Sequence, residues 1–440
     1  MTSRRQSCRD LSSEREGVEV GQTLGMDPTR LFSVGEARRL ARRRVPGVVF
    51  DYIDGAAGDE ITARANRDAF HDLALRQATP RQTGAPSTAT TVLGIPVDLP
   101  VLLGPAGLVS LMHPDGAVAS ARAAAAQGTL SVLSTVAGTP LEEVAAKAPG
   151  AKWFQVYAPG GLDEAYALAE RAHDAGYAGL MVTVDTAVLG KRERDLAHGI
   201  TMPPNPSLRL ATHLLAQVAA RPAWTVATVR NVLARRSTGS ASDSGTGHGS
   251  EAGPGTGAGG KRTDVDAFEA GRELPAMAAS PFTWSDISGL RERWKGQLIV
   301  KGVMTGDEAR RAVDAGADAV VVSNHGGRQL DGAPATMRML PEVLDAVAGS
   351  GPSVEVLVDG GVRRGTDVAR ALAVGARAVL IGRPYLYGVA AAGQGGVEQI
   401  LKVLAAELRD TLTLLGLSDV SQLGPQVLVD DPGPTSVTTP

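Results

Sequence analysis

The segment Ser323-Asn324-His325-Gly326-Gly327-Arg328-Gln329-Leu330-Asp331 puts an imidazole and a guanidinium three residues apart, just after the apolar run Ala319 to Val322. Imidazole titrates near neutrality and serves as a general base, and the planar guanidinium fork suits a carboxylate or phosphate. The two glycines between them let the backbone turn sharply. Core packing would want apolar residues here, so the pattern reads as a strand end that delivers a base and an anion clamp to one rim of a sheet.

Other apolar runs also end in polar residues. Asp185 closes one and, beside His325, would fix the tautomer and stabilise the imidazolium formed on proton abstraction. Tyr52 and Tyr157 offer hydroxyl donors to the anion that Arg328 would hold. Asp359-Gly360-Gly361-Val362-Arg363-Arg364-Gly365-Thr366 follows one run and Gly382-Arg383-Pro384 follows another. Glycines leave backbone N–H groups uncovered there, and Arg363 and Arg383 add charge that a plain turn does not need, which implies a phosphorylated cofactor. Lys301 ends the run Leu298-Ile299-Val300, and a buried lysine needs an anion. It suits equally a Schiff-base aldolase without flavin or the stabilisation of negative charge on a reduced ring.

The elements that must position these groups are eight apolar runs separated by helical patterns: Val101 to Gly104, Leu130 to Ser134, Trp153 to Tyr157, Leu180 to Asp185, Leu298 to Lys301, Ala319 to Ser323, Val354 to Asp359 and Ala378 to Gly382. Thr139-Pro140-Leu141-Glu142, Thr305-Gly306-Asp307-Glu308 and Gly365-Thr366-Asp367 offer helix starts between them. Strands that are apolar throughout, each followed by a helix, predict a parallel eight-stranded (β/α)8 TIM barrel with its active face at the strands' C-terminal ends. Ser134, Gln155, Tyr157, Thr183, Asp185, Lys301, Ser323, His325, Asp359 and Arg383 all fall at that rim.

Residues 31–440 form one domain in this reading, after a disordered leader over 1–30 for which Met26 is an alternative start. A long insertion over 203–281 separates the fourth and fifth strands. Its part from Ser237 to Gly260 is Gly/Ser-rich and expected to be disordered. Leu208 to Arg236 reads as one apolar helix with arginines and no acidic residue: a lid, or a peripheral membrane or partner contact. Gly255-Thr256-Gly257-Ala258-Gly259-Gly260 satisfies G-x-G-x-x-G, but no strand precedes it and it reads as low complexity.

Composition narrows the function. A formal charge of -3 and 4% aromatic residues give neither the basic field nor the stacking platforms of nucleic-acid binding. Cys8 is the single cysteine, which excludes an intrachain disulfide and a thiolate metal cage and fits a reducing cytoplasm. No apolar run approaches the ~18 residues that span a bilayer.

From about Leu31 to Leu423 the chain resembles the FMN-dependent L-2-hydroxy acid oxidases and dehydrogenases, a family that includes glycolate oxidase, lactate oxidase, lactate monooxygenase and the mandelate and lactate dehydrogenases. Ser-Asn-His-Gly-Gly-Arg-Gln-Leu-Asp, Asp-Gly-Gly-Val-Arg-Arg-Gly-Thr-Asp and Val-Lys-Gly-Val carry the resemblance. It implies FMN as cofactor and oxidation of an L-2-hydroxy acid to the 2-oxo acid, with O2 or a quinone as acceptor, in a homotetramer or larger assembly. By position, His325 resembles the catalytic base and Asp185 its partner, with Tyr52, Tyr157, Arg192 and Arg328 as substrate contacts. Pro105, Ala106, Gly107, Ser134, Gln155 and Thr183 are similar to flavin-ring contacts, and Lys301 to the cation beside N1 and the C2 carbonyl. Ser323, Asp359, Gly360, Gly361, Arg363, Gly382 and Arg383 resemble the ribityl and phosphate site. Val136 stands where glycolate oxidases carry tryptophan, so acids larger than glycolate are expected; Ala106-Gly107 replaces the usual Thr-Ala, with the backbone contacts there expected to survive. Maturases of a peptide-derived cofactor share the fold but lack the Arg and Tyr of the clamp. A non-catalytic flavin-binding scaffold is the remaining alternative.

Overall fold

Strands that must bury both faces read as unbroken apolar runs, and the eight runs become eight parallel strands. In the computed structural model, which describes residues 27–78, 84–158, 160–199, 208–239, 281–349 and 354–430, these are β1 (Val101–Leu103), β2 (Ser131–Ser134), β3 (Lys152–Val156), β4 (Gly179–Thr183), β5 (Gln297–Val303), β6 (Ala319–Val322), β7 (Glu355–Asp359) and β8 (Ala378–Ile381). They pair in chain order and close where β8 meets β1, with Val379 opposite Val101 and Leu380 opposite Leu102. This is the (β/α)8 barrel.

The two-residue period of a strand divides the core. Leu102, Trp153, Met181, Ile299, Val321, Leu357 and Leu380 fill the barrel interior, while Val101, Leu103, Leu298, Val300, Val320 and Val322 pack outward against the helices. A hairpin of Thr90–Val92 with Ile95–Val97 supplies Val92 and Val97 to the interior cluster, and the carboxylate of Glu355 accepts from Leu93 N at 2.8 Å. Trp153 donates to the side chain of Gln297 at 2.8 Å, satisfying the indole within that core.

Helix starts follow their caps. Ser33 accepts from Glu36 N to start helix Val34–Arg44, and Thr305 with Glu308 forms a reciprocal capping box at Gly306–Asp314. Thr139 does not cap its helix: Leu141–Lys147 begins after Pro140 with no side-chain bond, leaving the acidic Glu142 and Glu143 to meet the free amides.

Two further expectations are corrected. β5 does not end at Lys301 but continues to Val303 through an irregularity between those residues, so the lysine sits inside a strand. The apolar stretch from Leu208 is two helices, Leu208–Ala219 and Pro222–Gly239, because proline starts a helix readily but cannot continue one. The pair is tied to the barrel: Gln217 Oε1 accepts from Val48 N at 2.8 Å, Trp224 Nε1 donates to Leu111 O at 2.8 Å, and Asn231 donates to Pro114 O at 3.3 Å. Leu215, Val226, Val229 and Leu233 remain exposed on it. Among the described residues no helix is long and apolar enough to cross a membrane. Pro28–Arg30 of the expected leader form a single 3-10 turn capped by Asp27; residues 1–26, and 240–260 of the Gly/Ser-rich stretch with its glycine motif, lie outside the described residues.

Candidate active site

The sequence-predicted groups converge on one open cleft at the C-terminal mouth of the barrel. Tyr52, Tyr157, Arg192, Arg328, His325 and Lys301 line it together with Pro105, Ala106, Gly107, Ser134, Asp359, Gly360, Gly361, Arg363, Gly382 and Arg383. Gln155, Thr183, Asp185 and Ser323 stand immediately behind: Gln155 accepts from Ser134, Thr183 pairs in register with Lys301, Asp185 meets His325, and Ser323 accepts from Lys301.

His325 lies two residues past Ser323, held at φ 59° with its amide donating to Ser323 Oγ at 3.1 Å. A left-handed conformation at a non-glycine residue is uncommon outside sites where geometry is imposed. Its Nδ1 is 3.0 Å from Asp185 Oδ1, which fixes the tautomer with Nδ1 protonated and leaves Nε2 as acceptor. Burial lowers the imidazole's proton affinity below its ordinary value, and Asp185 offsets this only in part. Burial pushes the Asp185 carboxyl up, but His325 and Lys301 outweigh it and hold it below the usual carboxylate range. At neutral pH the pair is therefore a neutral imidazole against a carboxylate, ready to take a proton.

Beside the imidazole two cations share one aromatic ring. The Arg328 and Arg192 guanidinium carbons lie 5.1 and 5.9 Å from the Tyr52 ring centre. Arg328 Nη1 donates to Tyr52 O at 2.9 Å and Gly55 O at 2.8 Å, the end of helix Gly47–Asp54, which orients the fork. Burial first, and then Arg192, lowers the proton affinity of Arg328 to about 9. Arg192 meets a carboxylate only at 3.8 Å, that of Asp195, and its buried Nε has no hydrogen-bond partner among the described residues. A bound anion would relieve both. Burial likewise drives the Tyr157 hydroxyl's pKa well up, so it stays a donor.

The opposite part of the cleft fits FMN. Gln155 Nε2, Thr183 Oγ1 and Asp359 Oδ1 are buried without hydrogen-bond partners among the described residues, as expected of groups awaiting a polar ring and chain. Lys301 Nζ lies 3.0 Å from Ser323 Oγ and 3.4 Å from Asp359 Oδ2. Burial lowers the lysine's proton affinity, but Asp359 and Asp185 more than restore it, so it is a fixed cation. That disfavours the Schiff-base reading, which needs a free amine. A Cβ on Gly382 would meet nothing within 4 Å, leaving open space after β8, and Gly360 and Gly361 take φ of 89° and 92° to turn the chain after β7. Arg363 is pulled down by burial to about 10 and donates only to Val362 O at 2.8 Å, a cation suited to a phosphate. Arg383 departs from simple phosphate duty: it donates to Ile53 O at 3.2 Å and to Gly326 O and Gly55 O at 2.8 Å, clasping the histidine loop to helix Gly47–Asp54.

Sequence reasoning missed several residues. Thr186, Leu189 and Gln329 also line the cleft, and Leu108, Leu111 and Leu189 join the expected Val136, Tyr157 and Tyr52 in an apolar wall. Asp54, its side chain buried, binds Arg38, Arg194 and Tyr387 at 2.6, 2.7 and 2.7 Å. A lone Asp on a helix carries no motif; its apolar neighbours Val49, Phe50 and Ile53 were the only cue to burial.

The FMN-dependent dehydrogenase family pattern matches residues 41–430. The chain is 40% identical over 399 residues to L-lactate dehydrogenase of Caulobacter vibrioides, covering 90% of this chain and 97% of that one. It is 40% identical over 400 residues to pre-mycofactocin synthase of Mycolicibacterium smegmatis, covering 90% and 92%. The crystal structure of the monotopic membrane protein (S)-mandelate dehydrogenase superposes with a TM-score of 0.76 at 34% identity, covering 91% of this chain and 100% of that one. The chain belongs to the FMN-dependent dehydrogenase family, and it is an FMN-dependent oxidoreductase acting on CH–OH groups.

Proposed function

We propose that the protein oxidises L-2-hydroxy acids with an apolar side chain to 2-oxo acids. The observation that carries this reading is the convergence of Arg328, Arg192 and Tyr52 beside the His325–Asp185 pair, under the wall of Leu108, Val136 and Tyr157. Arg328 and Arg192 bind the substrate carboxylate, with the Tyr52 and Tyr157 hydroxyls donating to it. His325 Nε2 accepts the hydroxyl proton, and Asp185 stabilises the imidazolium through Nδ1. Gln155, Thr183, Lys301, Asp359 and Arg363 would hold FMN, which when bound would supply the two-electron acceptor. Val136, a small side chain in the wall with Leu108 and Tyr157, leaves room for a branched or aromatic group, whereas Gly107 is closely packed: a Cβ there would lie 3.0 Å from the Tyr52 hydroxyl and 3.1 Å from Val136 Cγ2.

Anaerobic addition of L-lactate, L-2-hydroxy-4-methylpentanoate and L-mandelate to the yellow protein tests this. Bleaching is expected, fastest with the two larger acids. No bleaching by any of them overturns the proposal. Reoxidation by air or by a quinone then identifies the acceptor.

The identity to pre-mycofactocin synthase favours a second reading, a maturase of a peptide-derived cofactor. Two arginines facing one tyrosine suit a compact free carboxylate better. Bleaching by a peptide-derived substrate but by no hydroxy acid would reverse the ranking. The helices Leu208–Ala219 and Pro222–Gly239, with Leu215, Val226, Val229 and Leu233 exposed and Arg230 among them, are the proposed contact with a membrane surface. Cosedimentation with vesicles, lost in Leu215→Ser/Leu233→Ser, is the expected result.

A further inference from the structure

Gln329 follows the guanidinium residue on the loop after β6, and its side chain crosses to the loop after β4. Its Nε2 donates to Asp185 O and Val188 O, both at 2.7 Å, and its Oε1 accepts from Gly190 N at 3.2 Å. Both N–H groups of the amide are thus spent on carbonyls. No donor is left for a substrate, although the side chain borders the cleft.

The backbones of the two loops are also in direct contact. A Cβ at Gly190 would lie 2.2 Å from Arg328 O and 2.6 Å from Gln329 O. The chain just after helix Gly47–Asp54 joins them, Ala57 N donating to Gly327 O and Gly58 N to Lys191 O, each at 2.9 Å. One loop carries Asp185 and Arg192, and the other His325 and Arg328.

We propose that Gln329 is a positioning residue that pins the loop after β4 to the loop after β6, and so sets the reach between base and partner and the spacing of the two arginines. This deepens the reading of His325 and Asp185 as base and partner and rests on it. Loss of the pin strands two carbonyls and one amide and lets Asp185 drift from the imidazole. Misplacement of about 1 Å in such a constellation costs on the order of 100-fold in rate.

The test uses the FMN-loaded enzyme with Gln329→Met, which removes all three hydrogen bonds at similar length, and Gly190→Ala, which pries the loops apart while leaving the amide. Both are expected to lower kcat/KM for an L-2-hydroxy acid about 100-fold, with KM rising as the arginines separate. The imidazole of His325 faces Asp185 as its anion, with Lys301 and Arg328 as cations. Distance from Asp185 lowers its pKa, so the acid limb of kcat/KM moves to lower pH, and nitrogen NMR of the resting protein shows the same shift. A lowered Tm with unchanged KM and unchanged imidazole titration would reduce Gln329 to a structural role and refute the pin. Asp185→Asn separates the two failures: a shift there but not in Gln329→Met sinks the pin alone, and a shift in neither sinks the base-and-partner reading and the pin with it.

Discussion

Replacing Asp185 by Asn keeps the size of the side chain and removes only its charge. Asn Oδ1 can still accept from His325 Nδ1, which now lies 3.0 Å from the carboxylate, so the tautomer survives. What is lost is attraction to the imidazolium that forms as the substrate hydroxyl gives up its proton. Opposite charges about 4 Å apart attract by about 4 kcal/mol at an effective dielectric near 20. At about 1.4 kcal/mol per tenfold, flavin reduction slows by roughly three orders of magnitude. The pH profile shifts as well. Neutral His325 is the active form, so activity is lost as pH falls through its pKa. Asp185 raises that pKa against burial, and its neutralisation therefore moves the acid limb to still lower pH while the plateau drops. Anaerobic stopped-flow reduction by an L-2-hydroxy acid across pH, with FMN content measured in parallel, is the assay. A loss of under tenfold with an unmoved limb refutes the account of the pair.

Arg328→Lys removes the oriented fork anchored on Tyr52 O and Gly55 O; kcat/KM should fall by about 2 kcal/mol, roughly 30-fold, chiefly through KM in steady-state assays. Val136→Trp fills the apolar wall, so the mandelate-to-lactate ratio of kcat/KM should fall at least about tenfold, as read from parallel kinetics. Gly361→Ala forces a side chain onto φ 92° and puts Cβ 2.0 Å from Asn66 O; it should cost at least about 2 kcal/mol, lower Tm and yield FMN-depleted protein by absorbance.

The barrel was legible because its strands are buried on both faces, which leaves uninterrupted runs such as Ala319–Val322 and Ala378–Ile381. The rim was legible because polar residues end those runs, and His325, Asp185, Lys301 and Asp359 meet there. Other features have no local mark. Lys301 looks like a strand end because Gly302 follows, yet Gly302 takes φ 105° within a strand that runs on to Val303. The break before Pro222 was hidden by apolar residues on both sides. Gln329 and Asp54 act through partners at sequence separations of 144 and 333 residues, which no spacing pattern reports.

A crystal structure of the FMN-loaded protein with a 2-oxo acid bound is the most direct measurement. The carboxylate should lie between Arg328 and Arg192 with Tyr52 against it, the 2-oxygen facing His325 Nε2, and the flavin ring over Gln155 and Lys301. A carboxylate bound away from both arginines, or a flavin seated elsewhere in the barrel, would contradict the account.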